Sequence, residues 1–476
     1  MTGNLCQGLG LTCATGCPVA SLGVAWRSIP PTFLADLRDL VGPRNLLTDP
    51  DLTIGHRIDW TGRFTADPVP VVRPGSAGEI AELVTLARRD GIALVPQGGN
   101  TGLVGGATPM EGGVVVDMRR LGQVSDLDPV AGQLTAGAGA TIGEVQAVAR
   151  GVGWEYGVDW AARDSATVGG SIATDAGGIR FVAHGGTRRQ LIGIEAVFGS
   201  GELVSHLPRV EKDNTGYQLA SLLCGSEGTL GLVTAARLRL VRPPGPTVVA
   251  LLGFSSVADV VSGGTMLRLG SRPLALELMT ARGLELVCRH LGLTHPFEDR
   301  QEYVLLAELE DHGNTVQAVL AEMEGLTASA VALDAASQLR LWRYREGHTE
   351  AISRLGSVHK LDVTLPPGVL ADFIAEIPAA VAALRPKATV WLFGHVGDGN
   401  IHVNLTGLDP DDDDIDGLVL TEVAARGGSI SAEHGIGRAK RRFLSLAHGA
   451  ADLAVMERLR AALDPDRICN PGVLLP

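Results

Sequence analysis

Pro96-Gln97-Gly98-Gly99-Asn100-Thr101-Gly102-Leu103-Val104-Gly105-Gly106 is the most informative segment of the chain. It follows the apolar run Ile92–Val95, which predicts a strand feeding directly into a turn-rich loop. The glycines leave successive backbone N–H groups unobstructed, a nest suited to phosphate oxygens. Two more clusters lie downstream, Ser165-Ala166-Thr167-Val168-Gly169-Gly170-Ser171-Ile172-Ala173-Thr174-Asp175-Ala176-Gly177-Gly178 and Gly225-Ser226-Glu227-Gly228-Thr229-Leu230-Gly231. Any one cluster is explained well enough as a tight turn. Three long ones, each mixing Gly with Ser, Thr or Asn, predict the cradle of one extended anionic cofactor. A fourth, Gly137-Ala138-Gly139-Ala140-Thr141-Ile142-Gly143, has GxGxxxG spacing rather than GxGxxG and reads as a strand-to-helix turn.

Nearer the N-terminus, Phe33, Leu34, Leu37 and Leu40 predict a helical lead-in within 29–65. Strand and helix signals then alternate: Val71-Val72, the helix of Ile80, Leu83, Val84 and Ala87, Val114–Val116, Leu134–Ala136, and the helix Ile142–Ala149. Pro243-Pro244-Gly245-Pro246 is the clearest linker. Beyond it, helices (258–269, 315–324, 368–384) alternate with strands (248–252, 303–308, 389–393). The expected architecture is α+β: a tail at 1–28, a first domain at 29–245, a second at 246–429, and a segment at 430–476 that returns to the first. The Asp-rich stretch Asp409–Asp416 is expected to be a solvated loop, because like charges repel.

Composition narrows the classes. The 476 residues carry a net charge of −13, which argues against nucleic-acid binding. The 62 glycines are nearly double the usual ~7% share, without a collagen period. No membrane-spanning run stands out, and no Lys or Arg precedes Arg27, so a secretory signal is not expected. Cys6, Cys13, Cys17, Cys224, Cys288 and Cys469 suggest no disulfide framework, and a cytoplasmic location is the expectation. The Cys13-x3-Cys17 spacing with Cys6 could hold a metal or cluster, but a flexible tail, or a translation start assigned too early, is the preferred reading.

In the second domain, Gly394-His395-Val396-Gly397-Asp398-Gly399-Asn400-Ile401-His402-Val403-Asn404 places two histidines on either side of a strong turn signal. Ser431-Ala432-Glu433-His434-Gly435-Ile436-Gly437 follows. Two His and a carboxylate with an open position suit a catalytic divalent metal, zinc by ligand type, with manganese or cobalt also compatible. Asp398 is a candidate to orient an imidazole. Arg345 and Thr349 share a helix face, and with Lys360 they could hold a carboxylate; Arg343 reads as a surface residue.

The three glycine clusters resemble the FAD-binding elements of the vanillyl-alcohol-oxidase-type flavoproteins. That resemblance implies a two-subdomain FAD-binding fold with an α+β cap, in which Pro96, Gln97, Gly98, Gly99, Asn100, Thr101, Gly102, Leu103, Ser165, Gly169, Gly170, Ala173, Thr174, Gly177, Gly178, Glu227, Gly228, Gly231 and Asn470 surround FAD. Neither His nor Cys occurs in 96–106 or 159–178, so the FAD is expected to be noncovalent. The histidine motifs, with Asn470-Pro471-Gly472, resemble the FAD-dependent D-2-hydroxyacid dehydrogenases. This implies that His395, His402 and Glu433 bind the metal, His434 is the general base and Asn404 meets the substrate. Arg345, Thr349 and Lys360 match the D-2-hydroxyglutarate pattern and would hold a distal carboxylate, while Leu361 and Val473 depart from the family's Tyr and Lys. D-2-hydroxyglutarate is the first-choice substrate; D-lactate, or glycolate in a subunit of a larger complex, is the runner-up. The expected electron acceptor is an electron-transfer flavoprotein, a quinone or an artificial dye, and the oligomeric state is open, with a homodimer as the candidate. Rivals of another class are a flavin-free metal hydrolase and a passive FAD-binding subunit.

Overall fold

A computed structural model describes residues 29–311, 313 and 315–475; the expected tail, with Cys6, Cys13 and Cys17, lies outside the described residues. The helix Pro31–Val41 buries Phe33 and Leu37. The helix Ala77–Asp90 starts where the Ser76 hydroxyl accepts the Glu79 N–H and stops at left-handed Gly91. Its stripe of Ile80, Leu83, Val84 and Ala87 covers a sheet ordered Leu46–Leu47, Val71–Val72, Val114–Asp117, Leu94–Gln97. The last two strands are parallel, so Gln97 delivers the chain into the first glycine loop at one end of the sheet.

A second, antiparallel sheet is ordered Val124–Asp128, Gln133–Gly137, Gly231–Arg239, Leu191–Phe198, Leu203–His206. The turn after Gly137 enters the helix Ile142–Arg150 through a capping box of Thr141 and Glu144. The Ser165–Gly178 cluster is not a loop throughout, as its glycines suggested. Val168–Thr174 is a short helix capped by Thr167, and Gly169 is there because a Cβ would lie 2.8 Å from that of Ala138. Close packing, not only ligand approach, selects that glycine.

After Pro243–Pro246 comes a seven-stranded antiparallel sheet, ordered Leu326–Ala332, Thr247–Phe254, Tyr303–Glu310, Pro273–Thr280, Thr389–His395, Asn400–Thr406, Val358–Thr364. Strand alternation decides what each face does. Leu361, Val363, Ile401, Val403 and Leu405 point into a core shared with the helices Val257–Gly270, Pro367–Leu384 and Asp413–Ala425. Each such apolar side chain contributes about 1.5–3 kcal/mol by burial. Their neighbours Lys360, Asp362, His402 and Asn404 occupy the other face, which the helices Ala281–Leu291 and Ala335–Ser353 cover in part.

Two expectations need correction. The Asp-rich stretch is paired, not merely solvated: Asp412 meets Arg385 at 2.5 Å, and Asp413 meets Arg63 at 2.7 Å and Arg442 at 2.6 Å. Asp416, 4% exposed, holds His359 at 2.8 Å, and the stretch opens a helix whose N-terminus favours acidic groups. Positive partners and a helix dipole outweigh the like-charge repulsion. Among the described residues, the helix Pro367–Leu384 is also long and apolar enough to cross a membrane, with a mean hydropathy of 1.6. Leu370, Phe373, Ile374, Ile377 and Val381 bury one face of it in the cap core, and Glu376 on the other pairs with Arg426.

The chain ends on the first domain. Leu94 donates to the Ile468 carbonyl at 2.8 Å and Asn470 donates to the Leu94 carbonyl at 2.9 Å, adding a short parallel bridge to the first sheet.

Candidate active site

The glycine loops pack backbone against backbone. A Cβ on Gly99 would lie 1.9 Å from the Ser165 carbonyl oxygen, and one on Gly98 would lie 2.1 Å from the Thr167 hydroxyl. Several residues assigned to the cofactor spend their side chains on building the loop instead. Gln97 bonds His56 and the Ala107 carbonyl, and Asn100 bonds the carbonyls of Gly55 and Ile58. Asn470 ties the Gly106 carbonyl (2.8 Å) to that of Glu227 (2.7 Å). Gly228 lets its loop pass the Pro96 ring, and Gly231 begins a strand tight against the Val197 carbonyl. What these segments offer a ligand is main chain, and space beside Gly102 is open.

Both carboxylate oxygens of Glu227 are taken by backbone N–H groups, those of Ile436 and Gly437, each at 2.7 Å. Burial pushes this carboxyl up to about 7, while the two amides and Lys440 pull it down. Gly177 and Gly178, also assigned to the cofactor, lie against Glu433, whose carboxylate accepts the Gly178 N–H.

The cap supplies the charged half. The hairpin Thr389–His395/Asn400–Thr406 brings His395 and His402 to a ring separation of 5.3 Å. His395 Nε2 lies 3.7 Å from Glu433, and candidate ligand atoms of His395, His402 and Glu433 lie within 4.8 Å of one another. The predicted trio is therefore assembled. Asp398 does not orient it: its carboxylate accepts the Asn400 N–H. That work falls to two residues the sequence reading missed. Glu277, fully buried, bonds His395 Nδ1 at 2.6 Å, and Asp362, also fully buried, lies 3.2 Å from His402 Nδ1. Each leaves the other ring nitrogen for a ligand. Burial pushes Asp362 up, but His434, His402 and Lys440 outweigh it and hold it well below the carboxylate range.

His434 stacks on His402 with rings 10° from parallel, and its Nδ1 is buried without a partner. Burial lowers its pKa to about 4, which leaves a neutral imidazole at pH 7. Asn404 is 6% exposed, and its side-chain nitrogen is likewise unpartnered. Two buried polar atoms without partners beside the trio mark a place for a polar ligand.

Arg345 donates through Nε to Glu277 at 2.7 Å and lies over the Phe393 ring. One carboxylate thus holds both this arginine and His395. Lys360 is opposite Asn404 across the strand pair, and its ammonium bonds Ser353 at 3.1 Å and sits 4.4 Å over the Trp60 ring. Ser353 in turn donates to the Thr349 carbonyl, so Arg345, Thr349 and Ser353 mark successive turns of one helix. Thr349 itself is exposed, as is Arg343. Lys360 borders a cavity of about 320 Å³ that also meets Trp60, Leu103, Val104 and Lys440.

Glu277 and Asp362 had faint signals. Glu277 is a lone acid in an otherwise apolar strand and Asp362 stands between Leu361 and Val363, placements that are costly unless the charge has partners.

Comparison with known proteins places the chain in a family. Residues 68–206 match the FAD binding domain family, and residues 243–474 match the C-terminal domain of FAD linked oxidases. The fold is that of p-cresol methylhydroxylase, with a TM-score of 0.74 at 14% identity over 93% of this chain and 96% of the other. Alkyldihydroxyacetonephosphate synthase gives the same TM-score of 0.74 at 18% identity, over 95% of this chain and 86% of the other. D-2-hydroxyglutarate dehydrogenase of Xanthomonas citri pv. viticola is 36% identical over 93% of this chain and 96% of its own length. The mitochondrial enzyme of Bos taurus is 34% identical, over 93% of this chain and 83% of its own. A flavin-free hydrolase does not fit these matches. With its glycine-built cradle, paired histidines and near-full-length likeness, the chain belongs to the D-2-hydroxyglutarate dehydrogenase family of FAD-linked flavoproteins.

Proposed function

We propose that the protein oxidises D-2-hydroxyglutarate to 2-oxoglutarate. The observation that carries this reading is the chain Arg345–Glu277–His395, which sets a carboxylate-binding cation beside a two-histidine, one-carboxylate cluster, with Lys360 opposite Asn404 on the same face of the sheet. When bound, FAD supplies the two-electron acceptor for the C2 hydride and a divalent cation supplies Lewis acidity at the hydroxyl. The donor set fits such a cation: two imidazole nitrogens and a carboxylate converge, and each imidazole has its second nitrogen held by a buried acid.

His434 is the base that takes the hydroxyl proton, and its burial keeps it unprotonated at pH 7. Asn404 orients the hydroxyl or the near carboxylate with its free amide. Arg345 keeps its terminal nitrogens for the far carboxylate while Glu277 fixes its Nε, and Lys360 adds charge from the neighbouring strand. Two cations and the cavity beside Lys360 favour a dicarboxylate over D-lactate.

The test is racemic 2-hydroxyglutarate with an artificial dye as acceptor. The D form should be consumed, 2-oxoglutarate should form, and the L form should remain. Consumption of the L form, or of neither, refutes the proposal. Dialysis against a strong chelator should stop turnover, with zinc restoring it; unchanged turnover would count against the metal.

A further inference from the structure

The segment Ser431–Gly437 carries Glu433 and His434 but has no helix or strand of its own. Its backbone is suspended between two carboxylates, one from each half of the molecule. Asp362 of the cap accepts the N–H groups of Glu433 at 2.6 Å and His434 at 3.1 Å. Glu227 of the first domain accepts those of Ile436 and Gly437, both at 2.7 Å.

We propose that Glu227 is a positioning residue, whose carboxylate holds Glu433 and His434 in place against the cofactor cradle and does not itself touch the cofactor. This rests on reading Glu433 as a metal ligand and His434 as the base. Three observations carry it. Glu227 is 7% exposed, with both oxygens already paired. Its main chain is fixed to the rest of the cradle: its N–H donates to the Ala173 carbonyl at 2.8 Å and its carbonyl accepts from Asn470 at 2.7 Å. It holds the left-handed conformation at φ 52°, which a non-glycine residue adopts only where its surroundings enforce it.

The partner loop is shaped to receive it. Gly435 has φ +78°, and a Cβ there would lie 2.9 Å from Glu227 Oε1. Gly437 has φ +53°, and its Cβ would lie 2.3 Å from the Val104 carbonyl oxygen of the first glycine loop. A movement of the cradle would therefore pass through Glu227 to the two residues that do the chemistry.

The experiment compares Glu227→Ala and Glu227→Gln with the full-length, FAD-loaded protein. It reads flavin occupancy by absorbance, zinc affinity by chelator competition and hydrogen exchange at the Ile436 and Gly437 amides. Flavin should be retained, both amides should exchange faster, and zinc should bind about 10–100-fold more weakly in the alanine variant. The glutamine variant, which keeps one acceptor oxygen, should show a smaller loss, and it carries the test if the alanine variant does not fold. Loss of flavin with unchanged zinc affinity and unchanged exchange would overturn the proposal and return the side chain to the cofactor. If the wild type binds no zinc or is not reduced by a hydroxyacid, the functional reading fails separately. Exchange at the two amides then still decides the role of Glu227.

Discussion

The two halves of the site are built from opposite materials. The first domain presents main chain: Gly98, Gly99, Gly102 and Gly228 make room, and the larger side chains there, Gln97, Asn100 and Asn470, hold the loops in shape. The cap presents side chains: Glu277, Asp362, His395, His402 and Asn404 stand on neighbouring strands of a sheet whose opposite face is apolar core. A backbone site is damaged by adding atoms, and a side-chain site by removing them. The two halves should therefore respond to different substitutions with different readouts.

The largest effect should come from adding one methyl group to the cradle. Gly99→Ala places a Cβ 1.9 Å from a backbone oxygen of Ser165, and neither segment can yield cheaply. The purified variant should be colourless; a normally yellow one would break the contrast. Next is His434→Ala, which should slow anaerobic flavin reduction about 10²–10⁴-fold while the flavin stays bound. Glu277→Gln comes third, weakening zinc about 10–100-fold in a chelator titration and raising KM for the dicarboxylate. The smallest mutational effect belongs to Arg343→Ala, an exposed position whose loss should change stability by no more than about 0.5 kcal/mol in a denaturant titration.

A pH effect should appear at the Asp-rich junction between the halves. Burial lowers the His359 pKa, but the Asp416 carboxylate outweighs it and leaves it above 6.5. A histidine with a raised folded pKa contributes stability that is complete below pH 6.5 and is lost as pH rises through the folded value. Thermal melts should show that loss on the alkaline side, and Asp416→Asn should flatten it.

The same contrast explains what the sequence discloses. A backbone site is contiguous, so Pro96–Gly106 announces itself in one line. The His395–His402 hairpin is legible for a similar reason, because a turn signal separates its two histidines. The supporting acids are not contiguous: Glu277 lies 118 residues from His395 and Glu227 lies 209 from Ile436. Nothing local marks them except a charge in an apolar strand or beside glycines. Asp398, close in sequence, looked the better partner for an imidazole, but its carboxylate serves the hairpin turn. The Asp409–Asp416 stretch misled in the same way, since its cations, Arg63, Arg385 and Arg442, come from three other segments.

Arg345, held by Glu277 beside the two histidines, should select a D-2-hydroxyacid with a second, distal carboxylate. The decisive measurement is anaerobic stopped-flow reduction of the bound flavin, with D-2-hydroxyglutarate and D-lactate compared in wild type and in Arg345→Ala. D-2-hydroxyglutarate should bleach the flavin with the higher ratio of reduction rate to Kd, and the arginine substitution should remove most of that advantage. Equal efficiency with D-lactate, or no bleaching by either acid, would contradict it.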